Sequence, residues 1–153
     1  MENVVNYENT GLKGGLMYEL KENPFTGKFV DLYDDGNKFC EIDYVDGKKH
    51  GKEIHWYENG KRYKECNYEN GKRNGEQTYW HKNGDIHIKR NYLNYFKNGY
   101  EFIWYENGGK HIERNYVFGL KDGEEIHWDK SGKEVVKYYY KDGGLLKKGC
   151  ENG

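Results

Sequence analysis

Residues 51–74 read GKEIHWYENGKRYKECNYENGKRN, and in them Ile54 and Trp56 stand two apart among charged neighbours. That alternation marks a half-buried strand. Asn59-Gly60 follows, a strong short hairpin signal because both residues accept positive φ in a type I′ turn. A return strand is expected over residues 62–68, ending on Tyr68, after which Asn70-Gly71 and Asn74-Gly75 turn the chain again. One such unit is one β-hairpin.

The apolar positions recur every 24 residues. Ile54 is matched by Val30, Thr78, Phe102 and Ile126, and Trp56 by Leu32, Trp80, Trp104 and Trp128. Tyr44, Tyr68, Tyr92, Tyr116 and Tyr140 close the return strands. Glycines keep the same period, at Gly27, Gly51, Gly75, Gly99 and Gly123, and in the first turns at Gly36, Gly60, Gly84, Gly108 and Gly132. A third set, Gly47, Gly71, Gly119 and Gly143, is interrupted only by Tyr95. The pattern predicts an all-β fold of tandem 24-residue hairpin repeats, an elongated antiparallel meander forming a single-layer sheet or solenoid. Ten or eleven strands would extend roughly 50 Å along the stack. A two-residue first turn pairs Trp56 with Tyr63, Leu32 with Phe39 and Trp128 with Val135; a three-residue turn would shift the pairing by one, and the shorter turn is preferred.

The chain reads as a single repeat domain, residues 1–153. Residues 1–26 form an N-terminal cap whose return strand falls at 16–20, residues 27–146 hold five repeats, and 147–153 are a truncated sixth unit or a tail. Although 33% of residues are charged, 17% are aromatic and fall at fixed repeat positions, which argues against disorder. The net charge of −1 is evenly mixed, without the basic stripe of a nucleic-acid binder, so nucleic acid is an unlikely partner. Cys40, Cys66 and Cys150 are too few and too scattered for a disulfide framework. They fit a reducing, cytoplasmic setting, the alternative being an exported protein whose signal peptide has been removed. No stretch of about 20 apolar residues is present to cross a membrane, which leaves peripheral contact open.

Chemistry is sparse. His87 and His111 occupy equivalent positions about 10 Å apart by repeat geometry, too far to share one zinc. No metal or cofactor is expected. Glu53 with His55, and Glu125 with His127, alternate along a strand so that a carboxylate could orient an imidazole, but no nucleophile elbow or phosphate loop accompanies them. The protein is not expected to be an enzyme. Ile54, Trp56, Trp80, Phe102, Trp104, Ile126 and Trp128 are assigned to the structural repeat core. On the opposite face His55, Tyr57, Tyr79, His81, Ile103, Tyr105 and His127 offer amphipathic contact area for another protein.

Tyr57-Glu58-Asn59-Gly60 with Tyr68-Glu69-Asn70-Gly71, and Tyr105-Glu106-Asn107-Gly108 with Tyr116-Val117-Phe118-Gly119, resemble the variant MORN repeat. The opening Pro24-Phe25-Thr26-Gly27 resembles the start of many bacterial chains of this type, and the resemblance spans residues 24–149. It implies a bacterial YwqK-type antitoxin, an immunity protein that binds a partner toxin and neutralises it by occlusion. The alternative it implies is an exported surface protein in contact with host cells or membranes. Tyr95, Trp80-His81 and Trp128-Asp129 depart from the motif and suggest drift or a specialised surface in units three to five.

Overall fold

The computed structural model describes residues 24–149 in full and, before them, the backbone of three short strands. These are β1 (Val4–Val5), β2 (Thr10–Lys13) and β3 (Leu16–Glu19). Eleven strands follow: β4 (Gly27–Leu32), β5 (Lys38–Val45), β6 (Lys48–Trp56), β7 (Arg62–Glu69), β8 (Lys72–Trp80), β9 (Ile86–Leu93), β10 (Phe96–Trp104), β11 (Lys110–Val117), β12 (Leu120–Trp128), β13 (Glu134–Lys141) and β14 (Gly144–Gly149). Strands β4 to β14 pair antiparallel in chain order within one open sheet, and the described residues contain no helix. The repeats therefore fold as the all-β meander that their periodicity predicts.

The amino-terminal segment differs from expectation. β3 returns antiparallel along β2 in a two-stranded sheet of its own and does not pair with the repeat sheet. The strand beside β4 is β1, and it runs parallel, matching Val4 to Lys28 and Val5 to Phe29. An antiparallel neighbour could be supplied by a tight hairpin, whereas a parallel one needs a longer crossover. Leu20, Cys150 and the tail after residue 149 lie outside the described residues.

The two turns of each unit are built differently. In the first, Gly60 N–H donates to Tyr57 O and Tyr57 N–H to Lys61 O, both at 2.9 Å, closing a three-residue loop. Gly60, at φ 77°, takes left-handed backbone. This is a type I turn with a glycine bulge instead of the expected two-residue turn. Trp56 accordingly faces Arg62, Leu32 faces Lys38 and Trp128 faces Glu134, which corrects the expected Tyr63, Phe39 and Val135 partners. One further bulge residue restores the register, so His55 meets Lys64 as a two-residue turn would require.

The second turn is the type I′ one. Asn70 (φ 49°) and Gly71 (φ 81°) are both left-handed, and Glu69 pairs with Lys72 across them. Asn74-Gly75 is no turn: Gly75 lies inside β8, where the β7–β8 register slips between Tyr68↔Arg73 and Cys66↔Gln77. At the type I′ site of the next unit Tyr95 replaces glycine and still adopts φ 75°. Its N–H keeps the bond to Arg73 O at 3.0 Å that Gly71 makes to Lys49 O at 2.8 Å. A non-glycine residue held there costs about 1 kcal/mol. Tyr95→Gly is expected to raise stability by about 0.5–1 kcal/mol in urea unfolding, and an unchanged midpoint would show that the turn relaxes around tyrosine.

Candidate partner-binding surface

The repeat motif itself explains how units are joined. Tyr33, Tyr57 and Tyr105 donate their hydroxyls to the main-chain oxygens of Trp56, Trp80 and Trp128, at 2.6, 2.7 and 2.8 Å. His81, where a tyrosine is missing, reaches Trp104 O through Nε2 at 3.1 Å. The turn asparagines act alongside: Asn59, Asn83 and Asn107 donate to the carbonyls of Lys82, Glu106 and Lys130. Both signature side chains thus tie one first turn to the next. At the other end, the Gly119 and Gly143 amides bind back to Lys97 O and Lys121 O at 2.8 Å.

Cross-strand pairing places His55, Tyr79, Ile103 and His127 in one row, interleaved with Lys64, Ile88 and Ile112. Tyr57, His81 and Tyr105 stand at its turn end: Tyr57 reaches the row through Tyr63 (Tyr57–Tyr63 at 5.1 Å, Tyr63–Tyr79 at 5.7 Å), while His81 and Tyr105 stack on His87 and His111 beside it, each at 4.2 Å. All seven residues assigned to partner contact are half-buried, and the hydroxyls of Tyr57 and Tyr105 are committed to the scaffold.

The same face carries the deepest burial in the molecule. Its amino-terminal end is apolar, with Phe25, Phe29, Cys40, Ile42 and Tyr44 forming one cluster. Further along, the central row reads Glu53, Cys66, Gln77, Arg90, Glu101, Arg114 and Glu125, each beside the next. Glu101 is 1% exposed yet holds Arg90 at 2.9 Å, Lys97 at 2.8 Å and Arg114 at 2.7 Å. Glu53 is held by Lys49 and Lys64 at 2.6 Å and by His55 at 2.7 Å. Lys97 and Lys121 also lie over the rings of Tyr116 and Tyr140, at 4.6 and 4.5 Å. The tryptophan row and its companions Ile54, Phe102 and Ile126 occupy the opposite face, half-buried and laced with ion pairs such as Lys52–Glu65 and Lys110–Glu113. The assignment of the core to the tryptophan row is therefore reversed. Glu53, Glu101 and Glu125 look solvent-facing in sequence, but a carboxylate with two or three cationic donors can be buried.

The Glu–His pairs do form, with His55 and His127 each 2.7 Å from their glutamates. They belong to these ion clusters: Glu53 is shared with two lysines and Glu125 with Lys121. Among the described residues no three potential metal ligands converge. Cys40 and Cys66 are buried free thiols, and burial pushes Cys40 up to about 11.

Burial by itself would raise the Glu101 carboxyl, but hydrogen bonds from Lys97 and Arg90 and the Arg114 charge outweigh it and lower it from 4.5 to about 2. Glu53 is likewise held well below the ordinary range, burial being outweighed by His55, Lys49 and Lys64. A depressed folded-state value stabilises the protein above pH 4.5, and this is lost as pH falls toward about 2. Glu101→Gln is expected to lower the melting temperature at neutral pH and to flatten its decline between these limits; an unaltered acid profile would contradict the assignment. Tyr57→Phe is expected to cost about 1 kcal/mol in urea unfolding, with no loss indicating that the hydroxyl does not brace neighbouring units.

The hairpins β6–β7 and β8–β9 also match a known family model, described as MORN repeat variant, over residues 49–70 and 73–94. No curated protein matches the chain significantly. These two hairpins are similar to MORN repeat variants, a class of repeat commonly found to bind proteins or membranes, and they are set within a longer run of the same spacing.

Proposed function

We propose that this protein is a non-catalytic binding module that occludes a protein partner with its tryptophan face, in the manner of an antitoxin or immunity protein. One observation carries the reading: this face holds a row of half-buried tryptophans together with the exposed rings of Phe96 and Tyr100, while the ionic and aromatic side chains of the other face are largely engaged with one another. An uncovered aromatic surface on a stiff scaffold suits protein recognition, because aromatic residues bury much area at small entropic cost. The neutralising role extends the motif resemblance, in which such chains silence a toxin by covering it.

The test is capture with the tagged protein from lysate of its source cell, with bound proteins identified by mass spectrometry. A stoichiometric partner that is toxic when expressed alone and harmless when co-expressed is the expected result. A stoichiometric partner without toxicity would retain the binding role and remove the antitoxin one, and no partner would count against both.

A further inference from the structure

The tryptophan face is uneven. On β10 every side chain of this face except Asn98 is aromatic: Phe96, Tyr100, Phe102 and Trp104. Tyr100 stacks on Phe102 at 5.8 Å and 21°, and Phe102 lies 5.7 Å from Trp104 at 30°. The stripe runs along the strand for eight residue steps, about 27 Å. At the positions of Phe96 and Tyr100, units two and three carry Lys48 and Lys52, and Lys72 and Glu76. Phe118, at the neighbouring second turn, stands where other units have Asp46, Asn70, Asn94 and Asp142.

These substitutions are not what the scaffold requires. Phe96, Tyr100 and Phe118 are 55%, 58% and 62% exposed, and Tyr95, 55% exposed, occupies left-handed backbone that glycine fills in the other units. Retained strain beside an exposed apolar cluster marks a surface shaped for something other than folding.

Charge indicates what fits there. Tyr100 forms one wall of a cavity of about 280 Å³ lined also by Glu113, Asp122 and Glu124. Glu113 is paired with Lys110 at 3.0 Å and Asp122 with Lys141 at 2.9 Å, which leaves Glu124 as the carboxylate least engaged by the protein's own cations. Glu124 is half exposed, and its one ion pair on this face, to Lys137, is stretched to 3.9 Å. Elsewhere the protein repeatedly sets lysine or arginine over its aromatic rings, as with Lys38 over Trp56 and Lys110 over Trp128. Among the described residues none lies over Tyr100. The weakly engaged Glu124 beside the uncovered Tyr100 ring favours a cationic group over an anionic membrane surface.

We propose, building on the binding-module reading, that the β10 stripe with its acidic cavity docks an extended, lysine- or arginine-bearing segment of a protein partner. The apolar side chains of that segment lie along Phe96, Tyr100 and Phe102, and a cationic side chain enters the cavity between the Tyr100 ring and Glu124.

The test uses three probes: a fluorescein-labelled peptide of alternating lysine and valine, its glutamate–valine counterpart, and phosphatidylserine-containing vesicles. The lysine peptide is expected to bind in a salt-sensitive way, the other two not. Phe96→Ser/Tyr100→Ser/Glu124→Lys is expected to weaken that binding at least about tenfold while melting within a few degrees of the parent, since all three side chains are more than half exposed. Lys52→Ser, at the position in unit two equivalent to Tyr100, is expected to leave binding unchanged. Equal peptide binding by the triple variant, binding of the acidic peptide, or vesicle binding in place of peptide binding would each overturn the proposal. In the lysate experiment, a partner retained by the triple variant refutes this surface and leaves the binding module standing. Failure of the parent protein to capture anything counts against the module alone, and the peptide comparison then decides the surface.

Discussion

The hydrogen bond from a turn tyrosine to the tryptophan carbonyl of the next unit holds this molecule in register. It is made by Tyr33, Tyr57 and Tyr105 at 2.6–2.8 Å, and by His81 in substitution. A sheet of hairpins has ladder bonds between all neighbours, but ladders tolerate sliding where neither face is strongly specified. The tyrosine and its companion asparagine remove that freedom at one end of each hairpin, and the second-turn amide, returned to the preceding unit, removes it at the other.

Pinned units still need an interior, and a single sheet has no second layer to provide one. The chain solves this with one face of its own. Phe25, Phe29 and Ile42 pack at the amino-terminal end, and further along the cross-strand row turns to Gln77–Arg90–Glu101–Arg114–Glu125. Alternating charges on adjacent strands satisfy one another, while lysines extend over tyrosine rings and bury their stems. An ionic interior of this kind gives less net stability than an apolar one but penalises a wrong register, since a slip of two residues sets Glu101 opposite Ile or Tyr and leaves buried charges without partners. The other face is thereby left free to carry aromatic residues whose arrangement the fold does not dictate.

Much of this was legible in the sequence. The 24-residue period, the alternation of Ile54 and Trp56 and the glycine punctuation give hairpins, strand directions and strand number. The turn type was not, because Asn-Gly serves both loops: Asn70-Gly71 takes the two-residue form, whereas Asn59 uses its side chain to bridge Lys61 N–H and Lys82 O, leaving Gly60 alone left-handed. The core face was misread for a related reason. Glu53 and Glu101 are indistinguishable from solvent-facing glutamates until the partners fifteen or fewer residues away are placed around them, and tryptophan draws attention to the wrong side. The parallel β1, two residues long, carries no sequence signal of its own. Tyr95 was visible as a departure from the repeat, but its meaning required its backbone angle and its exposed neighbours.

The central claim is the assignment of the two faces, and hydroxyl-radical footprinting read by mass spectrometry tests it residue by residue. Phe96, Tyr100 and Phe118 are expected to be oxidised rapidly, with Phe29, Tyr92 and Tyr116, each under 10% exposed, strongly protected. Oxidation of Tyr92 and Tyr116 as fast as Tyr100 would contradict the account, because the face taken here as the interior would then be open to water.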